Sequence, residues 1–380
     1  MKTAICSFTN QSSRRRFLGT ALAVGLAVSM TLLSVPGQAG AVPGVGGKKS
    51  LTVYSSNVYI GALIDRILEV PAGDLGTLLE ATTLSFHELV QSDPPKRMAA
   101  AAAEIAARNP DVVGLVELYD VQIMTAPDQW TPLYSYLDLV VQALAARGAH
   151  YTIAVVAPES DVAAPILFEG QITWVRIIDH EAILVRSDLP PGQLNYGNPR
   201  TGQFQVHIAV PELGLDLRRG WCAIDMAVRG EKFRLICSHL ETEAVPPVQY
   251  AQAVELLNGP VNTPLPVVLI GDFNTDPLAR DGSFTYPVFL EAGFTDTWNV
   301  VNPQHPEGGL TWGHEPALTD PNAQLFDRRI DLVLYRGLQC SPTSFEVIDP
   351  IIGATVPCWF SDHAAISATF HLGNRPRSAR

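Results

Sequence analysis

Positive charge is scarce in this chain. Its 380 residues hold 26 Lys and Arg against 38 Asp and Glu, a formal net charge of −12. The first 41 residues contain Lys2, Arg14, Arg15 and Arg16 and no acid, so the remainder carries −16. A protein that grips polyanions through a broad basic face has the opposite balance. A phosphate-bearing substrate would have to be met locally, by metal ions and a few cationic side chains. Cysteine is also sparse. Cys222, Cys237, Cys340 and Cys358 follow an isolated Cys6, and none sits in a Cys-x-x-Cys spacing, which argues against a thiolate zinc centre. Beyond the N-terminus there is no second apolar run long enough to span a bilayer. There is also no Ser/Gly-rich linker and no shift of composition, so residues 48–373 read as one domain, with 374–380 as a tail. At 47% hydrophobic residues, that domain has ample material for a core.

The N-terminus carries an export signal. Ser13-Arg14-Arg15-Arg16-Phe17-Leu18 is a twin-arginine pattern of the kind that exports folded bacterial proteins. An apolar stretch runs from Phe17 to Val35, and Ala39-Gly40-Ala41 offers small residues for cleavage. The expectation is a signal peptide over 1–41, a Gly/Pro-rich linker over 42–47, and a soluble periplasmic or secreted product. If the signal is not cleaved, the same stretch becomes a membrane anchor.

Periodicity then sets the order of elements. Leu51–Asn57 alternates as a strand, and 60–91 shows helical spacing through Ile60, Leu63, Ile64, Ile67 and Leu68, then Leu75, Leu78 and Leu79. Asp93-Pro94-Pro95 opens an alanine-rich helix that Asn109-Pro110 stops. Asp111–Glu117 reads as a buried strand, followed by a helix near 132–147 and a strand at Tyr151–Ala157. Strands are expected at 181–187, 203–210, 221–228 and 233–240, then a helix near 247–258, the strand Pro266–Asp272 and a helix over 284–292. Ile330–Tyr335 and Ala364–Phe370 complete the set. Strands interspersed with helices, with hairpins in the middle, predict an α/β fold with mixed sheets. The turn at Arg229-Gly230 places Cys222 opposite Cys237, either as a disulfide or as two buried thiols.

Polar residues gather where apolar strands end. Val267–Ile270 delivers Gly271-Asp272-Phe273-Asn274, which taken alone could be a simple turn. His239 closes another apolar strand within Ser238-His239-Leu240. Glu117 follows five apolar residues with no cationic neighbour in sequence, a costly arrangement unless a partner is supplied. A hard cation suits it, because Mg²⁺ takes one or two carboxylates and keeps several waters. Arg329-Ile330-Asp331 sets a carboxylate inside an apolar strand, where it could pair with Arg328 or Arg329 or with an imidazole. Ser361-Asp362-His363 opens the last strand.

Together these segments resemble the endonuclease/exonuclease/phosphatase superfamily. The likeness rests on six short motifs in the family's order: Ser55-Ser56-Asn57, Val113-Gly114-Leu115-Val116-Glu117, Arg219-Gly220, Ser238-His239-Leu240, Gly271–Asn274 with Arg329-Ile330-Asp331, and Ser361-Asp362-His363. It covers nearly all of the chain after the signal. The resemblance implies a four-layer α/β/β/α sandwich of two mixed β-sheets, as in deoxyribonuclease I, and a Mg²⁺-dependent phosphoesterase, with Mn²⁺ as the alternative ion. It implies metal-site roles for Asn57, Glu117 and Asp362. Asp272 would orient or deprotonate water with help from Asn274, His239 would contact the phosphate, and Asp331 and His363 would form a dyad. Arg219 would contact substrate. Nuclease and phospholipid or sphingolipid phosphodiesterase both remain open, acting as a monomer without a stable protein partner. A catalytically silent binding module on this fold would require a lost metal or base residue, and none is lost. The 59 residues between Asn57 and Glu117 exceed the compact family pattern. They read as a surface elaboration or as a lid whose Ile60, Leu63 and Leu79 select lipid-like substrates.

Overall fold

Val112–Val116 is apolar at every position, so a structure that buries it must cover both of its faces. The computed structural model of this chain does so. It describes residues 49–373 apart from 72, 191 and 322–325. The expected signal peptide, its cleavage point, the linker and the tail lie outside the described residues.

The chain begins with β1 (Ser50–Asn57), α1 (Asp65–Leu68), α2 (Leu75–Gln91), α3 (Pro94–Arg108) and β2 (Val112–Val116). A hairpin of β3 (Asp120–Ala126) and β4 (Gln129–Ser135) leads into α4 (Tyr136–Ala146) and the long pair β5 (Tyr151–Phe168) and β6 (Gln171–Arg186). Next come β7 (Leu194–Gln203), the short β8 (Ile208–Val210) and β9 (Leu215–Leu217), then β10 (Gly220–Val228) and β11 (Glu231–His239). The last part holds α5 (Pro246–Asn258), β12 (Val267–Asp272), α6 (Tyr286–Glu291), β13 (Thr295–Asp296), α7 (Thr297–Val301), β14 (Asp331–Arg336), β15 (Cys340–Ile348) and β16 (Ala365–Leu372).

Two mixed sheets result. The first runs β15-β16-β1-β2-β6-β3-β4, with β5 along the other edge of β6; the second runs β13-β14-β12-β11-β10-β7. Each has a parallel pair, β1 with β2 and β11 with β12. Strand alternation divides the apolar residues into three layers. Val112, Val116 and Ile183 meet Cys222, Leu235, Val268 and Ile270 between the sheets. Val113, Leu115 and Leu184 pack outward against Phe86, Met98, Ile105 and Val140 of the helices. On the opposite outer face, Val267, Leu269 and Ile236 pack on Leu256 and Phe289. The order is helix, sheet, sheet, helix, and each Val or Leu so buried contributes roughly 1.5–3 kcal/mol. At Gly114 the sheets come close: a Cβ there would lie 2.6 Å from Ile270 Cδ1 and 2.9 Å from Cys237 Sγ. Cys222 and Cys237 stand in register as expected, and both are free, buried thiols.

Several sequence expectations need correction, and proline explains most of them. β4, β7 and β15 were not expected over their observed ranges; they contain Pro132, Pro199 and Pro342, and each lies at the end of its sheet. An edge strand tolerates a residue without an N–H because one side of its backbone has no strand partner. The expected strand at 203–210 is replaced by β7, which ends at Gln203, and the three-residue β8. β5 does not stop at Ala157 but continues past Pro158 and Pro165, with a bulge between Pro158 and Asp161. The helix expected from 60 begins only at Asp65, after Gly61 at φ +90°, and Gly73 at φ +82° separates α1 from α2. The helix near 132–147 starts at Tyr136, because β4 occupies the residues before it.

Candidate active site

Asn57 ends β1 beside Val116 of β2, and His239 ends β11 beside Asp272 of β12. The carboxyl ends of the two parallel pairs thus supply polar side chains at the crevice where open α/β sheets bind ligands. Local conformation aims them. Glu117 has φ +58° and Asn274 φ +49°, a left-handed backbone that costs a non-glycine residue roughly 1–2 kcal/mol. The turn at Glu117 brings its carboxylate to the Asn57 amide (Nδ2 to Oε1, 3.0 Å) and to the Ile60 N–H (3.1 Å to Oε2). Gly271 is obligatory, since its φ is +135° and a Cβ would sit 2.0 Å from the Ser238 carbonyl oxygen.

Asp272 occupies the middle. Its Oδ2 accepts from Asn57 Nδ2 at 3.1 Å and lies 3.5 Å from His239 Nε2 and 3.7 Å from His363 Nε2. Its Oδ1 accepts from the Asn274 N–H at 2.9 Å. Burial raises this carboxyl to about 7, against the pull of His363 and with Asp331 pushing the same way as burial. Asp331 lies opposite Asp272 in register, and its Oδ2 is 2.9 Å from His363 Nδ1. The alternative pairing fails: Arg329 goes to Asp296 at 2.7 Å and Arg328 to Glu243. Burial would lower the His363 pKa, but the carboxylates of Asp331, Asp362 and Asp272 outweigh it and raise the ring to about 10. His363 is therefore an imidazolium at neutral pH.

His239 is its opposite. Burial first, then the Arg219 guanidinium and His363, hold its pKa well below the ordinary value. Arg219 Nη1 lies 2.9 Å from Nδ1. Arginine can only donate, so Nδ1 accepts and the ring proton sits on Nε2, which lies 3.2 Å from Asn274 Nδ2 and 3.5 Å from Asp272 Oδ2. The His239–Asp272 contact is thus between a neutral ring and a carboxyl, not an ion pair. Arg219 is also bound by Asp179 at 3.3 Å and approaches Glu241 at 4.0 Å. Asn274 Nδ2 donates to the Leu240 carbonyl at 2.9 Å.

Asp362 lies at the rim of this group, its Oδ1 4.0 Å from His363 Nε2. Burial raises it to about 6, with Glu117 pushing the same way against the opposing pull of His363. Glu117 and Asp362 therefore repel each other, and the two groups that hold the Glu117 carboxylate are uncharged N–H donors. This hard-oxygen set fits a divalent cation such as Mg²⁺. A second grouping is tighter: Asp272, Asp331 and His363 bring ligand atoms within 4.8 Å of one another.

The structure thus brings together Asn57, Glu117, His239, Asp272, Asn274, Asp331, Asp362 and His363, with Arg219 behind His239. Sequence reasoning missed the residues that brace them. Arg97 is fully buried and donates to the carbonyls of Val58, Tyr59 and Phe360, tying the segment after Asn57 to the one before Ser361. Thr311 Oγ1 accepts from the N–H groups of Ile330 and Asp331. Ser361 Oγ donates to the Asn57 carbonyl at 2.8 Å and accepts from His363 N–H. Asp179, Glu159 and Glu181 form a further buried acidic group behind Arg219. Inward-facing carboxylates in an apolar strand, as in Glu181-Ala182-Ile183-Leu184-Val185, are the signal that could have found it.

Known structures share this fold. An endonuclease/exonuclease/phosphatase from Beutenbergia cavernae is 22% identical with a TM-score of 0.52, over 87% of this chain and 74% of that one. An endonuclease/exonuclease/phosphatase family protein from Bacteroides thetaiotaomicron is 17% identical with a TM-score of 0.52, over 86% and 98%. The mannosyl-6-phosphatase Bt3783 of the same organism is 16% identical with a TM-score of 0.50, over 84% and 99%. No curated protein matches the chain by sequence. The endonuclease/exonuclease/phosphatase family profile matches residues 90–363, a span running from the end of α2 to His363 and taking in most of the polar group just described. The chain belongs to the endonuclease/exonuclease/phosphatase family, whose members are phosphoesterase hydrolases.

Proposed function

We propose that this chain is an exported, divalent-metal-dependent phosphoesterase. The observation that carries the reading is the surroundings of Asp272 Oδ2, which has an amide donor at 3.1 Å, a neutral imidazole at 3.5 Å and an imidazolium at 3.7 Å. Asp272, raised to about 7, is matched to accept a proton from water near neutral pH. Asn274 holds that carboxylate through its backbone N–H. His363, kept cationic by Asp331, offsets charge that develops on the phosphoryl oxygens, and His239 offers a neutral N–H donor to the same group. Arg219 would act through His239 by fixing its tautomer, alongside the substrate contact expected from sequence. Glu117, with Asn57 and Asp362, would hold Mg²⁺ or Mn²⁺. The ion would supply Lewis-acid neutralisation of the phosphate.

Export rests on the twin-arginine pattern and the apolar run at 17–35. Among the described residues no helix is long and apolar enough to cross a membrane. The substrate is a phosphate ester; the phosphosugar specificity named for the Bacteroides mannosyl-6-phosphatase is one class to include in an assay. The test is release of p-nitrophenol from mono- and diesters with Mg²⁺, with EDTA and after Mn²⁺ is added back. Loss in EDTA and recovery with either ion is expected. Undiminished turnover in chelator would overturn the metal assignment, and intact-mass measurement of the exported protein checks cleavage after Ala41.

A further inference from the structure

A cavity of about 130 Å³ opens beside the site, and its walls are largely aliphatic. Secondary-structure periodicity builds it. On β5 and β6 the cross-strand pairs Val162–Ile177 and Ala164–Val175 turn the same face inward. Thr82, Ser85, Phe86 and Leu89, spaced at i, i+3, i+4 and i+7, present one stripe of α2 to that face. Ile64, Ile67 and Leu68 close one end, and Leu215 and Leu217 of β9 close another.

The few polar groups in the walls are already engaged. Ser85 Oγ donates to the Leu63 carbonyl at 2.8 Å, Ser160 Oγ to the Arg218 carbonyl at 2.9 Å, and Thr82 Oγ1 to the carbonyls of Leu78 and Pro165. Hydrocarbon is what these walls offer. Elsewhere in the lining the chemistry changes, because it also includes Asp179, Arg219 and Glu241, with Ile60 and Tyr119. Ile60 joins the two sites: its side chain lines the cavity while its N–H holds Glu117. Arg219 joins them again through His239. Asp179 Oδ1 and Glu241 Oε2 are buried acceptors with no partner, placed where the polar part of a ligand would lie.

We infer that this cavity is the subsite for a single aliphatic chain, so that the substrate is a phosphate ester carrying an alkyl or acyl tail. The inference rests on the phosphoesterase reading and specifies its substrate class. A nucleobase fits poorly, since base recognition relies on aromatic stacking and Phe86 and Tyr119 are the aromatic residues among the lining side chains. Of the three residues expected to form an apolar lid, Ile60 lines the cavity, whereas Leu63 and Leu79 do not.

The experiment uses the full chain with Mg²⁺ and a series of p-nitrophenyl n-alkyl phosphodiesters, methyl to octyl, below their micellar concentrations. kcat/KM should rise about fourfold per methylene, the factor given by about 0.8 kcal/mol per buried CH₂, until the cavity is full. Ala164→Trp, or Val162→Trp if the first variant misfolds by circular dichroism, should flatten the series and leave the methyl ester rate unchanged. Calorimetric binding of n-octylphosphonate against methylphosphonate gives a readout independent of turnover and should show the same preference. A flat series with the methyl ester hydrolysed overturns the subsite and leaves the phosphoesterase reading standing. Tight octylphosphonate binding that Ala164→Trp abolishes, with no ester hydrolysed, supports the subsite and rejects the catalytic reading. Cleavage of a single-stranded oligonucleotide, unaffected by Ala164→Trp and beside a flat alkyl series, would also overturn it.

Discussion

The two histidines of the site face one carboxylate from environments of opposite sign. His363 stands among Asp331, Asp362 and Asp272 and is raised to about 10. His239 stands against Arg219 and is held well below the ordinary value. Both rings are buried, and burial alone would leave both neutral. The identity of the neighbour at Nδ1, a carboxylate in one case and a guanidinium in the other, decides which ring is charged. Pushing two titratable groups apart in this way yields one fixed cation and one neutral donor beside the same Asp272, which is the division of labour acid–base chemistry at neutral pH requires.

The largest effects should come from the charged half. His363→Ala and Asp272→Asn are each expected to lower kcat by about 10²–10⁴, with the circular dichroism spectrum unchanged. Near-normal turnover in either variant would dissolve the comparison. Asp331→Asn should act next, through pH. In the parent protein kcat/KM should rise as Asp272 loses its proton near 7 and fall as His363 loses its own near 10. Without the Asp331 carboxylate only Asp362 and Asp272 oppose burial at His363, so the alkaline limb should move to lower pH while the acid limb stays. A pH–rate profile with an unmoved alkaline limb would show that His363 owes its charge to something other than Asp331.

The core strands and much of this charged half were legible in the sequence. Strands Val112–Val116 and Val267–Ile270 are buried on both faces, so their apolar runs are continuous, and Glu117 and Asp272 stand out at their ends. Asp331 was found because it interrupts an apolar strand, and His363 because its segment opens one. The edges of the sheets were harder to read. Pro132, Pro199 and Pro342 look like breaks in one dimension and are harmless only where a strand has one neighbour, a fact of three-dimensional order. Arg97 and Arg219 were illegible as bracing residues for a related reason. Their partners, Phe360 for one and His239 and Asp179 for the other, lie tens to hundreds of residues away, and no local pattern marks an arginine that donates inward.

The neutral half should respond more weakly. Arg219→Lys keeps a positive charge near Asp179 and Glu241 but loses the planar donor to His239 Nδ1. Turnover should fall by about tenfold, as for a misoriented donor rather than a missing one, and the alkaline limb set by His363 should not move. A shift of that limb would mean that the two halves are coupled through Arg219.

The smallest effect should appear in stability, in the acids behind His239. Glu159 is raised to about 7, mainly by burial and against the pull of Arg219, and Asp179 and Glu181 are raised by burial and by Glu159. The Glu159 and Glu181 carboxyls face each other, unlike the carboxylates of Glu117 and Asp272, which accept from amide and backbone N–H groups. Across the interval from the ordinary carboxylate range up to the raised folded values, the folded protein binds more protons than the unfolded chain. Stability must therefore fall as pH rises through that interval. Glu181→Gln removes one of these groups without changing shape. It should leave Tm nearly unchanged at pH 5 and raise it at pH 8 by about 2–4 °C, the response to about 1 kcal/mol in a domain of this class. Activity should be retained, because Glu181 lies beyond Asp179 from the reacting centre. Equal Tm shifts at both pH values would mean that this acid is already ionised in the folded protein. A cation bound among Glu159, Asp179 and His239, whose ligand atoms lie within 4.8 Å of one another, would then be the next thing to measure, and the neutral half of the site would not be neutral.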